Sequence, residues 1–236
     1  MGKREKIYEG KAKILYSTDD PNLVIQYFKD EATALDGKKR GVIQEKGRVN
    51  NQISAKVFET LESHEISTHY VKTLSETEML VKRLEMFPLE VVLRNIATGS
   101  ISKRLGIEEG VTFENPVLEY YLKNDALGDP LLNRSHIQVL GLASEKAVDE
   151  MEDLTLRINR VLLSFFLERM VKLVDFKLEF GRLDGEILLG DEVSPDTCRF
   201  WDAGSETIQR LDKDRFRKDL GGEQEAYLEI YERVCN

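Results

Sequence analysis

The chain is poor in cysteine: among its 236 residues only Cys198 and Cys235 occur, which excludes a disulfide framework and a cysteine-built zinc site. Histidine is as sparse, and His64, His69 and His136 share no metal-ligand spacing. Long apolar runs are missing, so nothing reads as a membrane span, and the opening MGKREKIYEG lacks an apolar signal core. Lys6 stands where a myristoylation signal wants Ser or Thr. A basic excess is missing too. The formal charge of −9 argues against nonspecific binding to nucleic acid or an anionic membrane, although local basic clusters can still take phosphate. No repeat, low-complexity tract or long linker interrupts the chain. What is left, 41% hydrophobic and 33% charged residues, is ordinary globular composition with enough chain for one large domain or two small ones. The cytoplasm is the default location.

The most informative stretch is LVDFKLEFGRLDGEILLGDEVSPDTCRFWD, from Leu173 to Asp202. Its period-two alternation predicts a strand, a tight turn and a second strand. Asp175, Lys177 and Glu179 fall two apart and share one face, while Phe176, Leu178 and Phe180 face the other way. With a three-residue loop, Leu183-Asp184-Gly185, Arg182 faces Glu186 and Asp191 lies opposite Lys177, on the same face as Glu179. A two-residue turn sends Asp191 to the other face, so that pairing depends on the register. Two carboxylates beside a lysine suit a hard divalent cation with phosphate oxygens completing its shell; the same pattern also fits a solvated acidic hairpin. The apolar run Ile187-Leu188-Leu189 feeding straight into the acids, with Arg199 and the single tryptophan, Trp201, close behind, favours a site.

Upstream, Lys6–Tyr8, Lys13–Tyr16 and Leu23–Phe28 read as a strand meander. The tip between the first two, Gly10-Lys11-Ala12-Lys13, can fold over a polyphosphate with amides and ammonium groups, though it lacks Walker spacing. Thr33 to Gly41 reads as a polar loop, a connector or a lid over an anion. Val49, Ile53, Val57 and Leu61 predict an amphipathic helix ending near His64. Strands follow at Thr68–Lys72 and Glu78–Leu84, and Pro88 marks a crossing between two lobes. Leu89–Asn95 is a buried strand delivering Arg94 beside a helix start at Thr98-Gly99-Ser100. That is a phosphate site if the amides are free and a plain cap otherwise. Val111–Phe113 and Val117–Tyr121 add strand. A long helix runs from Ser144 to about Leu173, and two helices, Asp212–Leu220 and Gln224–Val234, close the chain.

Taken together, GKAK, EVVLRNIATGS (Glu90–Ser100), DFKLEFG (Asp175–Gly181), GDEVSPDTCRFWD (Gly190–Asp202) and DKDRFRKDLGG (Asp212–Gly222) resemble, in order and spacing, the SAICAR synthetases (phosphoribosylaminoimidazole-succinocarboxamide synthases) of purine biosynthesis. The likeness spans essentially the whole chain and fits the single-function bacterial form. It implies an α+β, two-lobed fold, similar to protein kinases and ATP-grasp enzymes. An antiparallel N-terminal lobe, residues 1–86, binds ATP, and a mixed α/β lobe, residues 87–236, binds substrate and metal. It implies an ATP-dependent C–N ligase joining L-aspartate to the carboxylate of carboxyaminoimidazole ribonucleotide (CAIR), with ATP and Mg2+ as cofactors and homo-oligomeric assembly.

Carried over by position, the resemblance gives Gly10, Lys11, Ala12 and Lys13, with Lys123, to the ATP phosphates. Adenine lies near Lys82, Leu84 and Met86, and Glu179 and Asp191 hold magnesium. Asp36, on the loop with Gly37, and Arg94, Ser100 and Arg199 take CAIR, with Lys177 and Asp175 orienting substrates. Cys198 stands where the family commonly has serine, and a thiol is the weaker donor. The implied chemistry is attack of the CAIR carboxylate on the γ-phosphoryl group, then attack of the aspartate amine on the acyl phosphate. The base is not identified; Asp175 or solvent are the alternatives. Two rivals remain at this point: a small-molecule kinase of related fold and a non-catalytic acidic interaction protein.

Overall fold

The computed structural model describes residues 2–34 and 39–236; Asp36 and Gly37, placed on the substrate side by sequence, lie outside them. The meander forms as its alternation predicts: β1 (Lys6–Glu9), β2 (Lys13–Ser17) and β3 (Leu23–Phe28) pair antiparallel. The tip closes where the Gly10 amide donates to the Lys13 carbonyl at 2.9 Å. The expected loop from Thr33 to Gly41 is different. Its ends are strands, β4 (Glu31–Ala34) and β5 (Lys39–Val42), paired with Ala32 opposite Gly41. Small and polar residues carry little alternation, so the pairing was not visible in the pattern.

Helix α1 (Lys46–Ser63) buries Val49, Ile53, Val57, Phe58 and Leu61 completely. It is enclosed well beyond one stripe, because β3, β6 (Tyr70–Ser75) and β7 (Glu78–Lys82) pack on it. These strands make a first sheet in the order β1-β2-β3-β7-β6. The chain then changes sheets at Arg83-Leu84, just ahead of Pro88. β8 (Glu85–Met86) and β9 (Leu89–Ile96) already belong to the second sheet. α2 (Ser100–Leu105) follows, and then β10 (Thr112–Leu122), one strand with a register break between Thr112 and Val117 where two separate strands were expected. β11 (Leu131–Leu132) and α3 (Arg134–Val139) lead to α4 (Glu145–Leu167), capped by Ser144, whose hydroxyl accepts from the Ala147 amide at 3.3 Å.

α4 stops at Leu167, short of Leu173. Met170 takes a left-handed φ of 57° and turns the chain, so Leu173 belongs to β12 (Val171–Leu183), where its apolar position serves a strand period rather than a helical one. β13 (Glu186–Gly190) and β14 (Cys198–Asp202) follow. The predicted helix at Asp212–Leu220 shrinks to α5 (Asp214–Arg217). Asp212 is instead drawn into the core, accepting from the Phe200 amide at 2.8 Å and the Asp214 amide at 2.7 Å. α6 (Glu223–Cys235) closes the chain against α1. Among the described residues no helix is long and apolar enough to cross a membrane.

β12 is the spine of the second sheet. Along one edge it pairs with β9 over Asp175–Leu178 and with β8 at Gly181–Arg182; along the other it pairs with β14 and then β13. Every pairing is antiparallel. Phe176, Phe180 and Phe200 are fully buried behind it with Phe166 of α4, each contributing on the order of 1.5–3 kcal/mol of apolar burial.

Candidate active site

The two sheets face each other across a cleft with three adjoining hollows, and β12 runs along all of them. Its face is as the alternation predicts: Asp175, Lys177 and Glu179 line the cleft. Of the two turns that the sequence left open, the shorter one forms. Leu183 pairs with Glu186, leaving a two-residue turn at Asp184-Gly185, both with positive φ, 52° and 89°, the pattern of a primed hairpin turn. Strict alternation from this register would aim Asp191 away from Glu179. Pairing instead ends at Gly190, and Asp191 leaves the strand with a φ of 59°. That left-handed step swings its carboxylate back, so Asp191 and Glu179 line the same hollow.

The first hollow, about 390 Å³, lies between the sheets and is walled by Leu15, Val24, Val81, Leu84, Met86 and Phe87. Two glycines let the Leu84–Met86 segment approach: a Cβ on Gly181 would sit 2.6 Å from the Leu84 Cβ, and one on Gly190 would sit 3.1 Å from the Met86 methyl carbon. Lys82 also lines it, its ammonium donating to the Thr68 carbonyl at 3.1 Å. His69, not singled out by sequence, is buried here and donates from Nδ1 to the Leu189 carbonyl at 3.1 Å if that nitrogen carries the proton. Burial holds its pKa down to about 4.

The second hollow, about 550 Å³, opens beneath the β1–β2 tip and brings Gly10, Lys11, Ala12 and Lys13 over Lys123, Lys177, Glu179 and Asp191. Lys13 pairs with Asp191, Lys123 with Glu179, and Lys177 donates to Glu179 at 2.8 Å and Glu90 at 2.9 Å. Lys11 reaches Asp125 at 2.6 Å. Burial alone would lower the Lys177 pKa, but the carboxylates of Glu179, Asp191 and Glu90 outweigh it and hold the ammonium well above its usual range. Burial likewise opposes the charge on Asp191, and Lys13, Lys177 and Lys123 more than reverse that. Among the described residues no group of three or more His, Cys, Asp or Glu side chains could hold a metal ion. Glu179 and Asp191 supply two hard oxygen donors in a wall of lysines, which fits a magnesium ion whose remaining ligands are phosphate oxygens and water.

The third hollow, about 350 Å³, contains Arg94, Ser100, Asp175, Lys177, Cys198 and Arg199. Asp175 Oδ2 accepts from Arg94 and from Arg199, both at 2.7 Å. Arg94 also donates to Glu119 at 2.8 Å and to Ser100 Oγ at 3.0 Å, and Arg199 to Asp214 at 3.0 Å. Gly99 is required: its φ is 65°, and a Cβ there would lie 2.8 Å from Arg199 Nη2. The Cys198 thiol is buried, and its backbone amide donates to the Ser194 carbonyl at 2.8 Å, a contact a serine would keep. Lys213 and Arg217 also line this hollow. Their i, i+4 spacing in DKDRFRKD was the available signal. Glu119 gave none, because only the β9–β10 register brings it beside Arg94.

A family model described as SAICAR synthetase matches residues 6–234. This chain belongs to the SAICAR synthetase family. It is 57% identical over 235 residues, 99% of each chain, to phosphoribosylaminoimidazole-succinocarboxamide synthase of Coprothermobacter proteolyticus. Among solved structures, the synthase of Ehrlichia chaffeensis superposes with a TM-score of 0.95 at 45% identity, covering 98% of both chains. A SAICAR synthetase solved in complex with ADP gives 0.92 at 47% identity, over 96% of both. The family's reaction is an ATP-dependent ligation of aspartate to CAIR in purine biosynthesis, so this chain is a C–N ligase.

Proposed function

We propose that the three hollows are, in order, the nucleotide-base cavity, the phosphate-transfer channel and the ribonucleotide pocket of this ligase. The observation that carries the reading is the single cleft-facing row on β12. Glu179 lines the first and second hollows, Lys177 the second and third, and Asp175 the third. The division into an ATP-binding lobe, residues 1–86, and a substrate lobe, residues 87–236, follows the same arrangement. The adenine of ATP takes the apolar cavity beside Lys82, Leu84 and Met86. Gly10, Lys11, Ala12, Lys13 and Lys123 meet its phosphates. Glu179 and Asp191 hold magnesium, which supplies charge neutralisation on the transferring phosphoryl group.

Arg94, Ser100 and Arg199 take the anionic groups of CAIR. Lys177, reaching from the channel into the pocket, orients the CAIR carboxylate toward the γ-phosphorus. An oxygen of that carboxylate attacks, the bond to ADP breaks, and an acyl phosphate forms. The aspartate amine then attacks the carbonyl carbon, phosphate leaves and the nitrogen gives up its proton to solvent. The enzyme's share is positioning and electrostatics. Asp175, committed to two guanidinium groups, is their counter-ion and not the base. The enzyme works in the cytoplasm as a homo-oligomer on small molecules, without nucleic acid or membrane.

The test is ADP formation from ATP, magnesium, CAIR and L-aspartate with one component omitted at a time. ADP that requires all four, with a product carrying succinate, is the expected result. ADP formed without aspartate, with a stable phosphorylated product, makes the protein a kinase.

A further inference from the structure

Outside the pocket, one carboxylate joins segments that carry the anion-binding side chains from opposite sides. Glu109 accepts from Thr98 Oγ1 and from Lys218 Nζ, at 3.0 Å, on one oxygen, and from Arg210 Nη2 at 2.9 Å on the other. Thr98 is fully buried and immediately precedes Gly99-Ser100, the turn that presents Ser100 to Arg94. Arg210 pairs by its backbone with Trp201, two residues beyond Arg199 on β14. Lys218 lies 3.8 Å from Asp214, the carboxylate that receives Arg199 Nε. The strands under these segments are joined through β12, where Asp175 lies opposite both Arg94 and Arg199, while the Thr98–Ser100 turn beyond β9 is held at its base by the amides between Ala97 and Gly110 or Val111. Glu109 is thus a second ionic tie between these flanks, outside the hollow, beside the Asp175 bridge from Arg94 to Arg199 within it.

We propose that Glu109 is a positioning residue of the ribonucleotide pocket: it fixes the place of Ser100 relative to Arg94 and Arg199 by holding the Thr98–Ser100 turn against Arg210 and Lys218. The proposal rests on the reading of the third hollow as the CAIR pocket. Three donors, two of them cationic, converge on this one carboxylate, so removing its charge leaves Arg210 and Lys218 repelling each other across the seam, and the turn loses its anchor. Anion binding between the flanks weakens, whereas the nucleotide cavity, built from other strands, is untouched.

The experiment is a calorimetric titration of the intact enzyme with CAIR and, separately, with ADP, together with KM and kcat for each substrate. The variants are Glu109→Gln, Glu109→Asp and Glu109→Gln/Lys218→Met. Glu109→Gln is expected to weaken CAIR binding about tenfold and raise the CAIR KM to match, with ADP affinity and kcat at saturating CAIR within about twofold of wild type. Glu109→Asp keeps the charge and recovers part of the loss, and so does removing the Lys218 cation. Equal losses for CAIR and ADP, or a lowered melting temperature with an unchanged CAIR affinity, overturn the proposal. A wild-type enzyme that binds ADP but not CAIR overturns the pocket assignment itself, and the proposal with it.

Discussion

Replacing Asp175 by asparagine removes one negative charge from between the buried Arg94 and the partly buried Arg199 guanidinium groups and little else. Asp175 is 3% exposed, and its Oδ2 receives Arg94 and Arg199 at 2.7 Å each, which puts the facing nitrogens about 5 Å apart or less. Their uncompensated repulsion at an effective dielectric constant near 20 is about 3 kcal/mol. That lies at the lower end of the cost of stripping one partner from a buried ion network, as fits a pair that keeps Glu119 and Asp214. For a chain of this length the loss corresponds to a fall in Tm of roughly 6–12 °C. The emptied seat is also more cationic, so an anion should restore more in the variant than in the wild type. Thermal melts over a series of inorganic phosphate concentrations read both effects. A variant melting within about 2 °C of wild type, or rising with phosphate in parallel with it, would show that Asp175 is not the counter-ion of this pair.

Asp191→Asn should lower kcat for ADP release by about 100-fold or more while changing the Tm by only a few degrees; a variant that is merely unfolded by circular dichroism would count against a metal role. Gly181→Val drives a side chain into Leu84. Its expected cost is about 1–3 kcal/mol in urea unfolding, with a raised KM for ATP and an unaltered one for CAIR. Acid stability should follow Glu109 and Asp214. Burial opposes their charges, but Thr98, Lys218 and Arg210 around the first and Arg199 and Arg217 around the second hold both near pH 2. The unfolded chain takes up these protons first as pH falls. The contribution is therefore complete above about pH 4.5 and lost toward pH 2. Asp212 has the opposite sign: burial, then the neighbouring Asp214, pushes it up to about 7. The unfolded chain releases that proton first, so stability from this group declines between about pH 4 and 7, and Asp212→Asn should flatten the decline in urea titrations across that range.

The sequence was most readable where one periodicity acted alone. The alternation in β12 assigned Asp175, Lys177 and Glu179 to one face, and the meander, α1 and the Ser144 cap followed from local pattern and capping chemistry. Reading failed where a left-handed residue broke the period. Met170 ended a helix whose apolar spacing ran on, and Asp191 returned to the site by a backbone step that strand alternation forbids. Asp191 shares a hollow with Glu179 although the turn that forms is the two-residue one, which by alternation alone would have separated them. Glu119 and His69 were invisible for a different reason: each acquires its place only through a long-range strand register. Glu109 sits in a polar turn, GIEEGV, where nothing local separates it from Glu108.

β12 also works as a ruler. Asp175 in the ribonucleotide pocket and Glu179 at the base cavity are four residues apart on one face of an antiparallel strand, about 14 Å at 3.4 Å per residue, and Lys177 marks the midpoint. The distance from base cavity to ribonucleotide pocket is thus written in the number of peptide units and not in the packing of mobile side chains. One residue inserted between these marks would turn every graduation beyond it to the core face. The same insertion in the Asp184-Gly185 turn would disturb only the return strand. Substrates of a different combined length could not be accommodated by adjusting side chains along this edge; they would need a strand of different count.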